Sequence, residues 1–193
     1  MKNLLFFSHN KKKILEVESI FDHKGVKIHN LKSFKKIKEP YESGVSFAEN
    51  AKIKSSFGLK NFEIPCFADD SGICVEALKN KPGIKSKRFL EKFASSESAF
   101  EHIISNVIKT KNNKAFFKTA ICLSITNNHH IVFEGKINGK ISIKPKGSNG
   151  FGYDPIFIPQ GYEKTFAEMS IKEKNTISHR KIALMKLESF LFN

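Results

Sequence analysis

The chain has 193 residues, with 33 Lys and Arg against 19 Asp and Glu and a formal net charge of +14. At this length one large domain or two intimate lobes bury roughly 70% of the unfolded surface, so no disulfide or metal staple is needed. A 40% hydrophobic fraction with 19 Phe excludes a disordered basic tail, and no apolar run approaches the ~18 residues of a membrane span, so the expectation is a folded cytoplasmic protein without a membrane partner.

In chain order, Asn3 to Phe7 is a short apolar run that predicts a buried strand. Lys11 to Phe21 carries Ile14, Val17 and Phe21 at helical spacing, and Val26 to His29 predicts a second strand. Ser46 and Glu49 form a capping-box pattern that opens a helix through Ala51 to Leu59. Ile64 to Ala68 predicts a strand running into the polar cluster Asp69, Asp70, Ser71, Gly72, and Ala99 to Ile108 predicts a helix with Ala99, Phe100, Ile103, Ile104, Val107 and Ile108 on one face. Ala115 to Thr126 and Ile131 to Ile137, separated by Asn127, Asn128 and His129, predict a long antiparallel hairpin whose tip is ordinary turn chemistry. A Gly-rich loop from Lys146 to Asp154 leads into Pro155 to Ile158. One final helix, capped by Ser170 and Glu173, carries Ile177, Leu184, Leu187 and Leu191 along one face. No linker or repeat interrupts residues 1–193. The pattern predicts an α/β fold: an elongated mixed β-sheet flanked by helices, with two lobes around a central cleft.

Only Arg88 and Arg180 are arginine, so 31 of the 33 basic residues are lysine, scattered in clusters such as Lys11 to Lys13, Lys35 and Lys36, and Lys144 and Lys146. A nucleic-acid reader leans on the bidentate fork of arginine, and scattered lysine is ordinarily a solvated surface. Cys66, Cys74 and Cys122 sit singly inside apolar runs and predict buried free thiols.

Four polar clusters sit where elements end. Ser8, His9, Asn10 and Lys13 open the first helix, where backbone amides and the helix dipole favour a phosphate, although an Asn-capped helix with a surface lysine has the same pattern. Asp69 and Asp70 alternate to opposite faces if the strand persists, so one of them faces a given site, although two adjacent acids bounded by Ser-Gly have the pattern of a plain turn; with Glu39 and Glu42 they offer carboxylates for Mg²⁺. Gly147 to Pro155 combines three glycines with Phe151 and Tyr153, two planar faces on which a base could stack, although a Gly-rich loop whose aromatics plug the core has the same pattern. Lys174, Ser178, His179 and Arg180 place a basic group on an otherwise apolar segment.

Taken in order, SHNKKK at 8–13, SFAENAKIKS at 46–55, FADDSGICVEAL at 67–78, KPGIKSKRF at 81–89 and the long block GFGYDPIFIPQGYEKTFAEMSIKEKNTISHRKIAL at 150–184 resemble the inosine triphosphate pyrophosphatase family. The resemblance implies a Mg²⁺-dependent enzyme that hydrolyses ITP, dITP and XTP to the monophosphate and pyrophosphate, clears them from the nucleotide pool, and works as a homodimer with no nucleic-acid polymer as partner. It implies a triphosphate cradle of Ser8, His9, Asn10, Lys13 and Lys54, Mg²⁺ ligands Glu42 and Asp70, and Asp70 as proton acceptor. Ser71 would lie beside the substrate, and Phe151, Gly152, Tyr153 and Asp154 would embrace base and sugar. Lys174, His179 and Arg180 would read the purine, Arg180 as donor to the 6-oxo group. The family has Thr-Gly-Asn where this chain has Ser8, His9 and Asn10, so the His9 side chain is expected to face away from the nucleotide. Two other readings stand beside it: a related pyrophosphatase acting on other nucleotides, such as the septum-associated pyrimidine enzymes, and a basic nucleic-acid-binding module. His179 with Arg180 argues against the first.

Overall fold

In the computed structural model, which describes residues 3–21, 25–34 and 37–192, seven strands and six α-helices alternate as an α/β fold around one mixed sheet. The elements are β1 (Asn3–Phe6), α1 (Lys11–Phe21), β2 (Lys27–Asn30), α2 (Phe47–Phe62), β3 (Cys66–Val75), β4 (Lys81–Pro82), α3 (Ser86–Leu90), α4 (Ser96–Thr110), β5 (Lys114–Thr126), β6 (His129–Ile141), β7 (Phe157–Pro159), α5 (Ile171–Ile177) and α6 (His179–Phe192). Lys35 and Lys36 lie outside the described residues. None of the described helices is long and apolar enough to cross a membrane.

The chain divides into two compact units: Met1–Asp70 with Thr119–Gly135 and Arg180–Asn193, and Ser71–Lys118 with Lys136–His179. In the first unit the strand order is β2-β1-β3-β5-β6, and β1 is parallel to both β2 and β3, with Leu5 opposite His29 and Cys66. Alternation along β1 divides its apolar residues between two cores. Leu4 and Phe6 join Phe67, Ile14, Val17 of α1 and Leu184, Leu187 of α6, while Leu5 and Phe7 join Leu31, Cys66 and Ala68. In the second unit β4 pairs antiparallel with β3 and β7 antiparallel with β6, and one core gathers Phe100, Ile103 and Val107 of α4 with Phe117, Phe157 and Phe166.

Three details differ from the sequence expectation. The strand does not end at Ala68: β3 runs on through Asp69, Asp70, Ser71 and Gly72 to Val75, and all ten residues but Ser71 are buried. Ile108 is 61% exposed, because at about 100° per residue it lies roughly 100° round from the centre of the stripe formed by Ala99, Phe100, Ile103, Ile104 and Val107. The final helix is two helices. Ser178 takes an extended conformation (φ −67°, ψ 153°) between α5 and α6, so Ile177 packs on the core of the second unit while Leu184, Leu187 and Leu191 pack in the first.

The caps follow sequence logic with one shift. Ser170 and Glu173 form a full reciprocal capping box. At α2, Ser46 Oγ accepts from the Glu49 amide, but the Glu49 carboxylate accepts from the amide of Val45 instead of that of Ser46. Cys66, Cys74 and Cys122 are all buried free thiols, and burial pushes the Cys74 thiol up to about 11.

Candidate active site

Within the first unit, the turn from β1 into α1 places Asn10 as the cap of α1: its Oδ1 accepts from the amides of Lys12 (3.0 Å) and Lys13 (3.3 Å), and its own amide donates to Ser8 Oγ (3.2 Å). That capping leaves Lys13 one turn inside the helix, where its Nζ lies 3.0 Å from the Asp69 carboxylate. His9, with 41% of its side chain exposed, turns to Glu39: its amide and Nδ1 both approach Glu39 Oε1, at 3.2 and 3.1 Å.

Helix α2 contributes a buried face of Asn50, Ala51, Lys54, Ser55 and Gly58, spaced as one side of a helix. Asn50 Nδ2 donates to Asp70 Oδ2 at 3.0 Å, while its Oδ1 accepts from the Gly44 amide at 2.9 Å. One turn later Lys54 Nζ reaches Glu42 Oε1 at 2.7 Å. Because β3 persists, Asp69 and Asp70 point to opposite faces of the strand, as the alternation predicts. Asp69 meets Lys13 and Arg180; Asp70 meets Asn50.

Arg180 is 2% exposed. Its Nε donates to Asp69 Oδ2 at 3.2 Å, and an Nη donates to the Glu16 carboxylate on α1. A buried guanidinium requires such partners, so the Nε and one Nη of Arg180 are engaged by carboxylates, where the sequence reading gave this side chain to the oxo group of a purine. Glu16 and Asn50 are absent from that reading. Glu16 had a signal: it is an acid between Ile14 and Val17 on the buried side of α1.

Burial raises the affinity of Asp69 for its proton, but Lys13, Arg180 and Lys54 more than reverse this and hold it ionised far below the usual range. Burial also dominates at Asp70, where the opposing help of Lys54 and Asn50 is smaller and Glu42 adds repulsion, so its pKa rises to about 6. Burial lowers Lys13, and Arg180 and Lys54 add to that, Asp69 offsetting only part. Lys54 moves the other way: burial lowers it, but Asp69, Asp70 and Glu42 together raise it.

Within the second unit, the Gly-rich loop closes on itself. Gly147 (φ 77°) has no room for a Cβ against the backbone of Ala167, and Gly150 (φ 74°) none against the Asp154 carboxylate. Asp154 Oδ2 accepts from the Phe151 amide and from Lys174 Nζ, both at 2.7 Å. Lys174, buried on α5, lies 4.6 Å from the Phe151 ring centroid and 5.5 Å from that of Phe166. Gly152 adopts φ 61° between them and is exposed. Tyr153 follows the core alternative for this loop: its ring is 4% exposed and packs at 6.2 Å from Phe100, with its hydroxyl donating to the Ser86 carbonyl at 2.8 Å. It is a core residue, and the half-buried Phe151 is left as the aromatic face of the loop. His179 stacks parallel on Phe117, 4.7 Å between centroids and 7° between planes, and Ser71 sits half-buried where β3 enters this unit.

The arrangement in the first unit gathers Lys13, Lys54 and Arg180 with Glu16, Glu39, Glu42, Asp69 and Asp70, and of the two adjacent aspartates Asp70 is the one whose pKa is raised. A family model described as the Ham1 family matches residues 4–190. The chain is 37% identical over 193 residues to the dITP/XTP pyrophosphatase of Halalkalibacterium halodurans, covering 99% of this chain and 100% of that one. It is 38% identical over 199 residues to the dITP/XTP pyrophosphatase of Aquifex aeolicus, covering 98% and 96%. Among solved structures it is similar to a HAM1 protein from Coxiella burnetii, with a TM-score of 0.90, 32% identity and coverage of 99% and 98%. It is also similar to the Staphylococcus aureus Ham1 protein, with a TM-score of 0.87, 34% identity and coverage of 98% of each chain.

Proposed function

Because the chain belongs to the Ham1 family, we propose that it is a nucleoside triphosphate pyrophosphatase that hydrolyses ITP, dITP and XTP to the monophosphate and pyrophosphate. The observation that carries this within the chain is a buried carboxylate, Asp70, raised to about 6 within electrostatic reach of Lys54 and Lys13. Cations suit a polyanion, and a carboxylate raised towards neutrality suits a proton acceptor.

The donor set fits Mg²⁺. Glu42 and Asp70 repel each other, and a divalent cation held by both would relieve that repulsion. No group of three His, Cys, Asp or Glu among the described residues is placed to hold a metal ion by itself, and Mg²⁺ needs only one or two carboxylates when substrate phosphates and waters complete its shell. Glu42 and Asp70 would hold it, and the ion supplies charge neutralisation on the phosphates.

The residues of the chain do the rest. Asn50 fixes the Asp70 carboxylate, which takes the proton of the water attacking the α-phosphorus. Lys13 and Lys54 stabilise the charge that develops on the departing pyrophosphate. Arg180 holds Asp69, and Asp69 in turn holds Lys13 at the helix N-terminus. Recognition of the base falls to Phe151, Lys174 and His179 in the second unit, with Asp154 fixing both the loop and Lys174. A homodimer in the cytoplasm completes the proposal, and sedimentation reads the assembly.

A panel of nucleoside triphosphates with Mg²⁺, assayed for pyrophosphate against orthophosphate, tests the reading. Pyrophosphate release from ITP and XTP well above that from GTP is expected, and equal kcat/KM for ITP and GTP rules the proposal out. Asp70→Asn is expected to lose kcat by about 10²-fold or more.

A further inference from the structure

The tip of the β5–β6 hairpin does more than turn the chain. Ser124 of β5, fully buried, has its Oγ 2.7 Å from Ser55 Oγ on α2 and 2.9 Å from Nδ1 of His130 on β6. The other ring nitrogen, Nε2, lies 3.0 Å from the carbonyl oxygen of Asn127 in the turn. A carbonyl only accepts, so Nε2 carries the hydrogen and Nδ1 of the neutral ring accepts from Ser124. With its own hydrogen spent, Ser124 accepts from Ser55, whose hydroxyl has the Lys52 carbonyl of its own helix, at 3.2 Å, as the competing acceptor. The bonds therefore run in one direction, from α2 through β5 into the hairpin turn, and a buried Ser55 hydroxyl that turned back to Lys52 would no longer tie α2 to the sheet.

Ser55 follows Lys54 directly and sits about one and a half turns after Asn50, on the same buried side of α2. We propose that Ser55, Ser124 and His130 are positioning residues: they lock the axial rotation of α2 so that Lys54 reaches Glu42 and Asn50 reaches Asp70. This rests on the pyrophosphatase reading for the roles of Lys54 and Asn50, while the geometry of the lock does not depend on it. At 5.4 Å per turn, a helix freed to slip by a fraction of a residue moves both side chains off contacts of 2.7 and 3.0 Å.

The test is a double-mutant cycle on the full-length protein. Ser124→Ala is expected to lower kcat/KM for ITP by about tenfold, and Ser124→Thr, which keeps the hydroxyl, to restore most of it. In a Lys54→Met background Ser124→Ala is expected to have a smaller effect than in the wild type, because one of the two groups it positions is gone. Melting temperatures of all four proteins accompany the rates. If the two substitutions multiply as independent losses, or if Ser124→Ala lowers the melting temperature and leaves kcat/KM untouched, the residues only stabilise the fold and the proposal is overturned. Should the wild type release no pyrophosphate from any nucleotide, the functional reading fails; the same cycle measured as calorimetric affinity for inorganic tripolyphosphate then decides the lock by the same criterion.

Discussion

Asp69 and Asp70 are consecutive in β3, and the protein treats their charges in opposite ways: the first is held ionised by Lys13 and Arg180, the second is pushed up to about 6 by burial and by Glu42. One strand thus carries an ion-paired anion on one face and a carboxyl group raised towards neutrality on the other.

For Asp70 the sign is that of a raised acid. Its protonated form favours the fold; that contribution is complete below the ordinary value of 3.8 and lost as pH rises through about 6. The gap corresponds to about 3 kcal/mol. In chelator, Asp70→Asn is therefore expected to be more stable than the wild type at pH 8, by up to about 3 kcal/mol, and no more stable at pH 4. Urea melts at both values check this. Equal stabilities at pH 8 mean that the Asp70 charge is not costly.

Asp69 has the reverse sign. Its ionised form stabilises the fold above the usual 3.8, and that stability is lost as pH falls below it. Asp69→Asn leaves Lys13 and Arg180 without their shared carboxylate, so a loss of about 3–5 kcal/mol is expected at pH 7. A loss under 1 kcal/mol means that Glu16 alone suffices for Arg180.

The two aromatics of the Gly-rich loop are expected to separate. Phe151→Ala removes the half-buried face under Lys174 and is expected to raise KM for ITP by about tenfold or more with kcat nearly kept, on the scale of one base stacked on one ring. Tyr153→Phe removes only the bond to the Ser86 carbonyl and is expected to cost about 1 kcal/mol of stability with KM unchanged. Michaelis constants and melts on both variants discriminate; a matching KM effect at Tyr153 returns it to the base site.

Local patterns were legible where one element decides them. The α4 stripe, the cap at Ser46 and the box at Ser170 follow from spacing alone, because their partners lie within four residues. The turn-like Asp69 to Gly72 was ambiguous for the opposite reason: its polar residues belong in a buried strand only once Lys13, Asn50 and Arg180 are brought to them. Arg180 and Glu16 are 164 residues apart, a separation that no periodicity reports. The resemblance named many polar residues, but it could not say which of them engage one another, and that is why neither the carboxylate partners of Arg180 nor the hydroxyl bond of Tyr153 to Ser86 was legible.

Ser178 decouples two angular phases. In a continuous helix, one inserted or deleted residue rotates everything beyond it by about 100°. Here an extended residue stands between α5 and α6, so a length change within Ile171–Ile177 re-aims Lys174 yet leaves Arg180 and the leucines of α6 in register. A length change just after His179 spares Lys174 and turns Arg180 away from Asp69. The two ends of this segment are therefore free to diverge independently among relatives.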